Sequence, residues 1–171
     1  MESFFAALKR FYERVDKEAK RLCELNPSRY HCRYGCHECC IDGLTLFEIE
    51  AENIRRYNRK LLRQGSPHPE GRCAFLNGTG ACRIYQNRPY VCRTQGLPLR
   101  WVEELPKGDA VEMRDVCPLN EPLEPLETLA SEECWSIGPF EEELARLQIA
   151  AIGKTQGRIR MRDLFLRLPD D

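Results

Sequence analysis

The chain has 171 residues, 26 basic and 27 acidic side chains and a net charge of −1, which suits one domain with a real core and is too short for two generous ones. No bulk field draws it to nucleic acid or to an anionic membrane surface, and no apolar run approaches the roughly 20 residues that span a bilayer. Ten cysteines leave a disulfide framework and a thiol-based metal protein as the two broad classes to separate.

The first stretch, Met1–Arg10, carries an early acid, no basic leader and an apolar run that ends at Leu8, so it lacks the parts of a secretory signal. A cytoplasmic, reducing location is the expectation, and there clustered cysteines serve metals or catalysis more often than disulfides. Over residues 3–25, Phe4, Phe5, Leu8, Phe11, Tyr12, Val15, Ala19 and Leu22 recur at helical spacing, which predicts an amphipathic helix packed on the domain's own core. Ser3 would cap its start and Asn26-Pro27 would end it.

Next comes His31-Cys-Arg-Tyr-Gly-Cys-His-Glu-Cys-Cys40, which places four thiols within nine residues. A hydrophobic core has no use for sulfurs so close together, whereas a soft metal ion or an iron–sulfur cluster needs convergent thiolates. Thr45-Leu-Phe-Glu48 reads as a capping box with Leu44 and Ile49 as its hydrophobic staple. The helix it opens would run to about residues 60–63, burying Ile49, Ile54, Tyr57 and Leu61, and would stop at Gly65 with Pro67 and Pro69 beyond.

Residues 72–85 predict a hairpin about Asn77-Gly78-Thr79-Gly80 that brings Cys73 near Cys82. Pro89 would open a turn or short helix holding Cys92. From Leu97 to Pro125 the prolines predict loop, with one strand at 99–102. Residues 103–133 hold ten acids against two bases, while Lys154, Arg158, Arg160, Arg162 and Arg167 make the tail basic, so the two are expected to face each other. A further helix is predicted from Pro139 to about Ala151 on Phe140, Leu144, Leu147 and Ile149. Trp101 and Trp135 are candidate core residues. The fold class is α+β: a single small domain over 1–171, two to three helices around a short hairpin and metal-binding loops. Residues 32–117 would be its cysteine core, with 1–26 and 126–171 as helical flanks.

Eight cysteines form the pattern Cys32-x3-Cys36-x2-Cys39-Cys40, Cys73-x8-Cys82, Cys92 and Cys117. Adjacent Cys39 and Cys40 should point differently, which suggests two metal centres or one polynuclear cluster, and eight thiolates suffice for two four-cysteine sites. A mixed arrangement with some thiols free is the alternative. Arg33, Arg72, Arg83 and Arg93 flank four of the cysteines, either to offset thiolate charge or as ordinary surface residues. His31, His37 and Glu38 read as exposed loop residues before they read as ligands, and His68, between prolines, reads as solvated. Cys23 and Cys134 fall outside the pattern and read as packing residues.

The run Cys-x3-Cys-x2-Cys-Cys, then Cys73-x8-Cys82-Arg-Ile-Tyr, then Arg88-Pro-Tyr-Val-Cys92-Arg93 and a later Cys117 resembles the YkgJ-like cysteine-cluster family. The Leu44-Thr45 opening of the second helix is similar to that family as well. The resemblance covers about residues 32–117 and implies metal binding, zinc or iron, with an iron–sulfur cluster as one form the iron could take. The ligands it implies are Cys32, Cys36, Cys39, Cys40, Cys73, Cys82, Cys92 and Cys117.

Three functions compete on these residues: a metal-binding protein, an iron–sulfur oxidoreductase or radical or group-transfer enzyme, and a zinc-stapled interaction module. Cys32-x3-Cys36-x2-Cys39 has the cluster-loop spacing of radical S-adenosylmethionine enzymes. Only 131 residues follow Cys40, however, and a β/α barrel does not fit in them. A metal ion is the expected partner; nucleic acid and membrane are not.

Overall fold

In the computed structural model, which describes residues 2–32, 35–106, 108–120, 125–153 and 157–165, helix α1 (Glu2–Leu25) presents Leu8, Phe11, Tyr12, Val15 and Leu22 on its buried stripe. The helix starts at Glu2, so Ser3 lies inside its first turn rather than capping it. On that stripe sits a first apolar cluster, completed by Phe47, Ile49, Tyr90, Leu97, Trp135 and Leu144.

Helix α2 (Glu48–Gln64) is the wall between this cluster and a second one. Ile49 faces the first, while Ala51, Ile54 and Leu62 join Leu46, Phe75, Ile84, Met161 and Leu164 in the second. The capping box lies two residues later than the sequence suggests. Thr45–Phe47 form strand β1, Phe47 is the N-cap, and Glu50 closes the turn by accepting from the Phe47 amide at 3.2 Å. Gln148 reaches across to accept from the Ile49 amide at 2.9 Å, covering another of the helix's unpaired donors. Around the irregular Asn58, where φ is −127°, the apolar stripe shifts: Tyr57 is exposed, Leu61 is only half-buried, and Leu62 is buried instead.

Helix α3 (Tyr90–Arg93) is one turn that starts after Pro89, and helix α4 (Ile137–Ile152) packs on α1 and α2. Leu144 is buried on α4, but Ile149 is exposed and Gln148 takes the inward position. Strand β2 (Leu99–Glu104) runs past the predicted strand and pairs antiparallel with β3 (Ala110–Asp115), an element the proline spacing hid. On its other side β2 pairs in parallel with β4 (Trp135–Ser136). Strand β5 (Arg158–Arg160) pairs antiparallel with β1. The architecture is α+β. Trp135 is 1 % exposed and its indole donates to the Tyr90 hydroxyl at 2.9 Å, whereas Trp101 is only half-buried.

Among the described residues the acidic middle and the basic tail do not meet in the way their charges suggest. Arg158 pairs with Glu141 and Arg162 with Asp42, while Glu112 pairs with Arg100 and Arg114. The tail's arginines find nearer acids on α4 and in the loop after Cys40, and Glu112 finds nearer bases within the β2–β3 pair; Coulomb attraction in water decays too fast to override them. Lys154 and Arg167 lie outside the described residues. No helix among the described residues is long and apolar enough to cross a membrane.

Candidate metal centre

The cysteine loops are tied to one another by backbone before any side chain is considered. The Cys40 amide donates to the His37 carbonyl at 3.0 Å, making a turn, and the Cys40 carbonyl accepts from the Cys73 amide at 3.0 Å. Asp42 then clasps the same two segments. Its carboxylate accepts from the Gly71 amide at 3.2 Å and from Arg162, whose guanidinium also donates to the His68 carbonyl at 2.7 Å and the Arg72 carbonyl at 3.0 Å. The Arg162 hydrogen bonds hold the Asp42 carboxyl below the usual carboxylate range.

The predicted hairpin is reduced to a single antiparallel bridge, Leu76 to Cys82. Asn77 explains its tightness: the side-chain oxygen accepts from the Thr79 amide, the Thr79 hydroxyl and the Ala81 amide, which consumes the donors a longer ladder would use. Cys73 and Cys82 are thereby neighbours. Cys92 is delivered to the same place by α3, whose Tyr90 belongs to the first apolar cluster while Cys92 packs on the second.

Four thiols distant in sequence, Cys40, Cys73, Cys82 and Cys92, thus gather on the second apolar cluster. They sense one another electrostatically: Cys40 is influenced by Cys73 and Cys92, and Cys92 by Cys73 and Cys82. Burial pushes the Cys73, Cys82 and Cys92 thiols up. Cys39 stands at the edge of this group. The Cys39 and Cys40 thiols interact, which raises Cys40 and lowers Cys39.

A second group forms at the other end of the loop. Desolvation, the largest cause, raises the Cys32 thiol, and Cys36 and Cys117 stand near enough to raise it further, while the Asn120 hydrogen bond lowers it. Asn120 organises this group. It is fully buried, donates to the Cys32 sulfur at 3.1 Å and to the Gly96 carbonyl at 2.8 Å, and accepts from the His31 amide at 2.8 Å. Gly96, at φ +94°, leaves room for this approach, since a Cβ there would stand 3.1 Å from the Cys32 sulfur. The sequence signal for Asn120 was the Cys117-Pro118 turn, which brings the Asn120 amide back to the Cys117 carbonyl at 2.8 Å.

The flanking arginines act differently from one another. Arg83 donates to the Ser66 and Ala74 carbonyls, and Arg93 pairs with Asp16 at 2.6 Å and covers the Tyr12 ring, so both brace structure. Arg72 reaches the His37 carbonyl at 3.4 Å and Glu38 at 3.9 Å. Arg33 lies outside the described residues. Arg83 also favours the Cys82 thiolate and Arg162 that of Cys73, but the cation that reaches three of the thiols is Arg88, in the Arg-Pro pair. It favours the thiolate of Cys39, Cys82 and Cys92, and its guanidinium lies 4.3 Å from the centre of the Tyr85 ring. Cys23 packs against the first cluster and Cys134 is buried beside Arg114, apart from both groups.

Gly80 has φ +80°, and a Cβ there would come within 2.5 Å of the His37 ring. Gly80→Ala is therefore expected to cost about 1–2 kcal/mol by strain and by displacing that imidazole. Gly78→Ala, with open space around it, should stay within about 0.5 kcal/mol. Urea unfolding of the two variants tests the difference.

Among the described residues no three His, Cys, Asp or Glu side chains stand in ready-made coordination geometry. The donor chemistry nevertheless suits a thiophilic metal: two groups of soft sulfurs, a cation beside one and an amide donor on the other. These features define a thiol-rich metal-chelating domain. Residues 31–118, about half of the chain, match the CxxCxxCC family model, described as a "putative zinc- or iron-chelating domain", and the chain belongs to that family. No curated protein and no solved structure matches it. Its first spacing, Cys32-x3-Cys36, is one residue longer than the pattern that names the family, and Gly35 takes up the turn there at φ +83°.

Proposed function

We propose that this chain binds zinc or iron through two sets of cysteines. Cys40, Cys73, Cys82 and Cys92 form one set; Cys32, Cys36 and Cys117 form the other, with Cys39 between them to complete it. The observation that supports this reading most is the convergence of four sulfurs from three separate segments on one apolar cluster. Hydrophobic packing alone would favour aliphatic side chains at those positions.

A bound metal would supply positive charge and a cross-link between loops, so its binding free energy is also folding free energy. The chain's own residues do the rest. Arg88 offsets the negative charge of the larger set, Asn120 orients the Cys32 sulfur, and the Asp42–Arg162 clasp fixes the distance between the Cys40 and Cys73 loops. The contact between the Cys39 and Cys40 thiols favours a second form of the same function, in which Cys39 joins the larger set around a polynuclear iron–sulfur centre.

Metal content of single variants tests the two-set arrangement. Cys82→Ser and Cys36→Ser should each lose about half of the bound metal, while Cys23→Ser and Cys134→Ser retain all of it. Full retention in Cys82→Ser would refute the assignment of the larger set. Complete loss in both Cys82→Ser and Cys36→Ser would replace two centres with one.

A further inference from the structure

A cleft of about 380 Å³ opens beside the larger thiol set, lined by His37, His68, Arg72, Asn77 and the Gly78–Gly80 turn. Its walls are the segments that carry the cysteines, since His37 lies between Cys36 and Cys39, Arg72 precedes Cys73, and the turn leads to Cys82. No thiol and no carboxylate lines it. The cleft is therefore distinct from the metal ligands, and the one charge on its lining is that of Arg72.

Arg83 and Arg162 spend their guanidinium groups on backbone carbonyls at 2.7 Å and 2.8 Å or closer partners. Arg72, by contrast, has among the described residues only the His37 carbonyl at 3.4 Å and exposed Glu38 at 3.9 Å, which leaves most of its planar fork of donors to a ligand. Asn77 spends its side-chain oxygen on three turn donors, which assigns its amide orientation and leaves the NH₂ group as a free donor.

The two imidazoles are held alike. His37 Nδ1 lies 2.9 Å from the Gly35 carbonyl and His68 Nδ1 lies 3.2 Å from the Pro69 carbonyl. A ring nitrogen at that distance from a carbonyl carries the proton, so in both rings Nε2 is the uncommitted atom. The close seat of the His37 ring on Gly80 fixes one of these edges in place.

We infer that this cleft binds a compact oxyanion, the carboxylate or phosphate group of a small molecule. Arg72 is its charged anchor and the Asn77 NH₂ is a second donor; the Nε2 atoms of His37 and His68, which accept, take a water or a ligand hydroxyl at the side of the cleft and not the anion's oxygens. A planar guanidinium matches two oxygens of either anion at once. Glu38 is the competing charge, and its 3.9 Å separation from Arg72 is long enough for an incoming anion to displace it.

The test is calorimetric titration of the full metal-loaded chain with sodium phosphate and, separately, sodium acetate, at constant ionic strength set by chloride. Saturable binding of one anion is expected, and which one saturates names the class. Arg72→Gln should weaken it by about tenfold or more, with circular dichroism and metal content unchanged. Arg10→Gln, on the exposed side of α1, should leave it unaltered. Absence of saturable binding of either anion at tens of millimolar, or equal binding by Arg72→Gln, would overturn the inference. Neither outcome depends on which metal the cysteines hold.

Discussion

Replacing Cys92 with serine is expected to empty the larger thiol set and to lower the stability of the metal-loaded chain by several kcal/mol. Cys92 lies on the single turn of α3, between Tyr90 in one apolar cluster and the sulfurs on the other. A serine hydroxyl is a harder and poorer donor for zinc or iron than a thiolate, and the metal-bound state loses one of four ligands. Structural zinc contributes on the order of 10 kcal/mol to small folded domains, so even partial loss outweighs a packing change. Without metal the same substitution only buries a hydroxyl, a cost of about 1–3 kcal/mol. Denaturant unfolding before and after chelation separates the two effects. The gap between wild type and Cys92→Ser should be large in the loaded protein and shrink after chelation; an equal gap in both would remove Cys92 from the ligands.

Glu50→Leu should cost about 3–5 kcal/mol. Glu50 is 2 % exposed and accepts from the Tyr12 hydroxyl at 3.0 Å, the Tyr90 amide at 2.8 Å and the Phe47 amide at 3.2 Å. One carboxylate therefore joins α1, the start of α2 and the turn that carries Cys92. A leucine would leave three buried donors unpaired. Glu50→Gln keeps the shape and an acceptor oxygen and should cost less.

The same residue sets a pH dependence. Burial raises the Glu50 carboxyl above its ordinary value of 4.5, so the folded chain binds this proton more tightly than the unfolded one. The resulting stabilisation is fully present below 4.5 and is lost as pH rises through the folded value. Wild type should therefore gain on Glu50→Gln as pH is lowered from neutrality toward that value, measured as the difference in urea midpoints at matched metal occupancy. A constant difference across the range would show that the folded chain does not raise the group.

The long helices were legible because each buries one face: α1 has its apolar residues every three to four positions and ends at Asn26-Pro27. Strand β3 was not, because Ala110–Asp115 is exposed along nearly its whole length and alternation has no meaning where neither face is buried. The capping box was misplaced by two residues because Thr45 and Glu48 satisfy the sequence rule, whereas the cap that forms uses Glu50 and no hydroxyl. The cysteine spacing made both thiol groups visible as chemistry but not as groups. Which sulfurs meet depends on contacts such as Cys73 to Cys40 and Asn120 to Cys32, which link residues more than 30 positions apart. Arg88 was visible as part of a motif, yet spacing alone could not separate it from Arg83, which favours only the Cys82 thiolate while bracing carbonyls, or from Arg93, which is taken up by Asp16.

The most direct measurement is elemental analysis with an absorption spectrum on the full chain purified without oxygen. Zinc or iron near two equivalents per chain, or iron with acid-labile sulfide and visible absorption, is the predicted result. A folded chain with neither metal and with its thiols oxidised in pairs would contradict the account, because the sulfurs gathered beside Arg88 and Asn120 would then be disulfide partners instead of ligands.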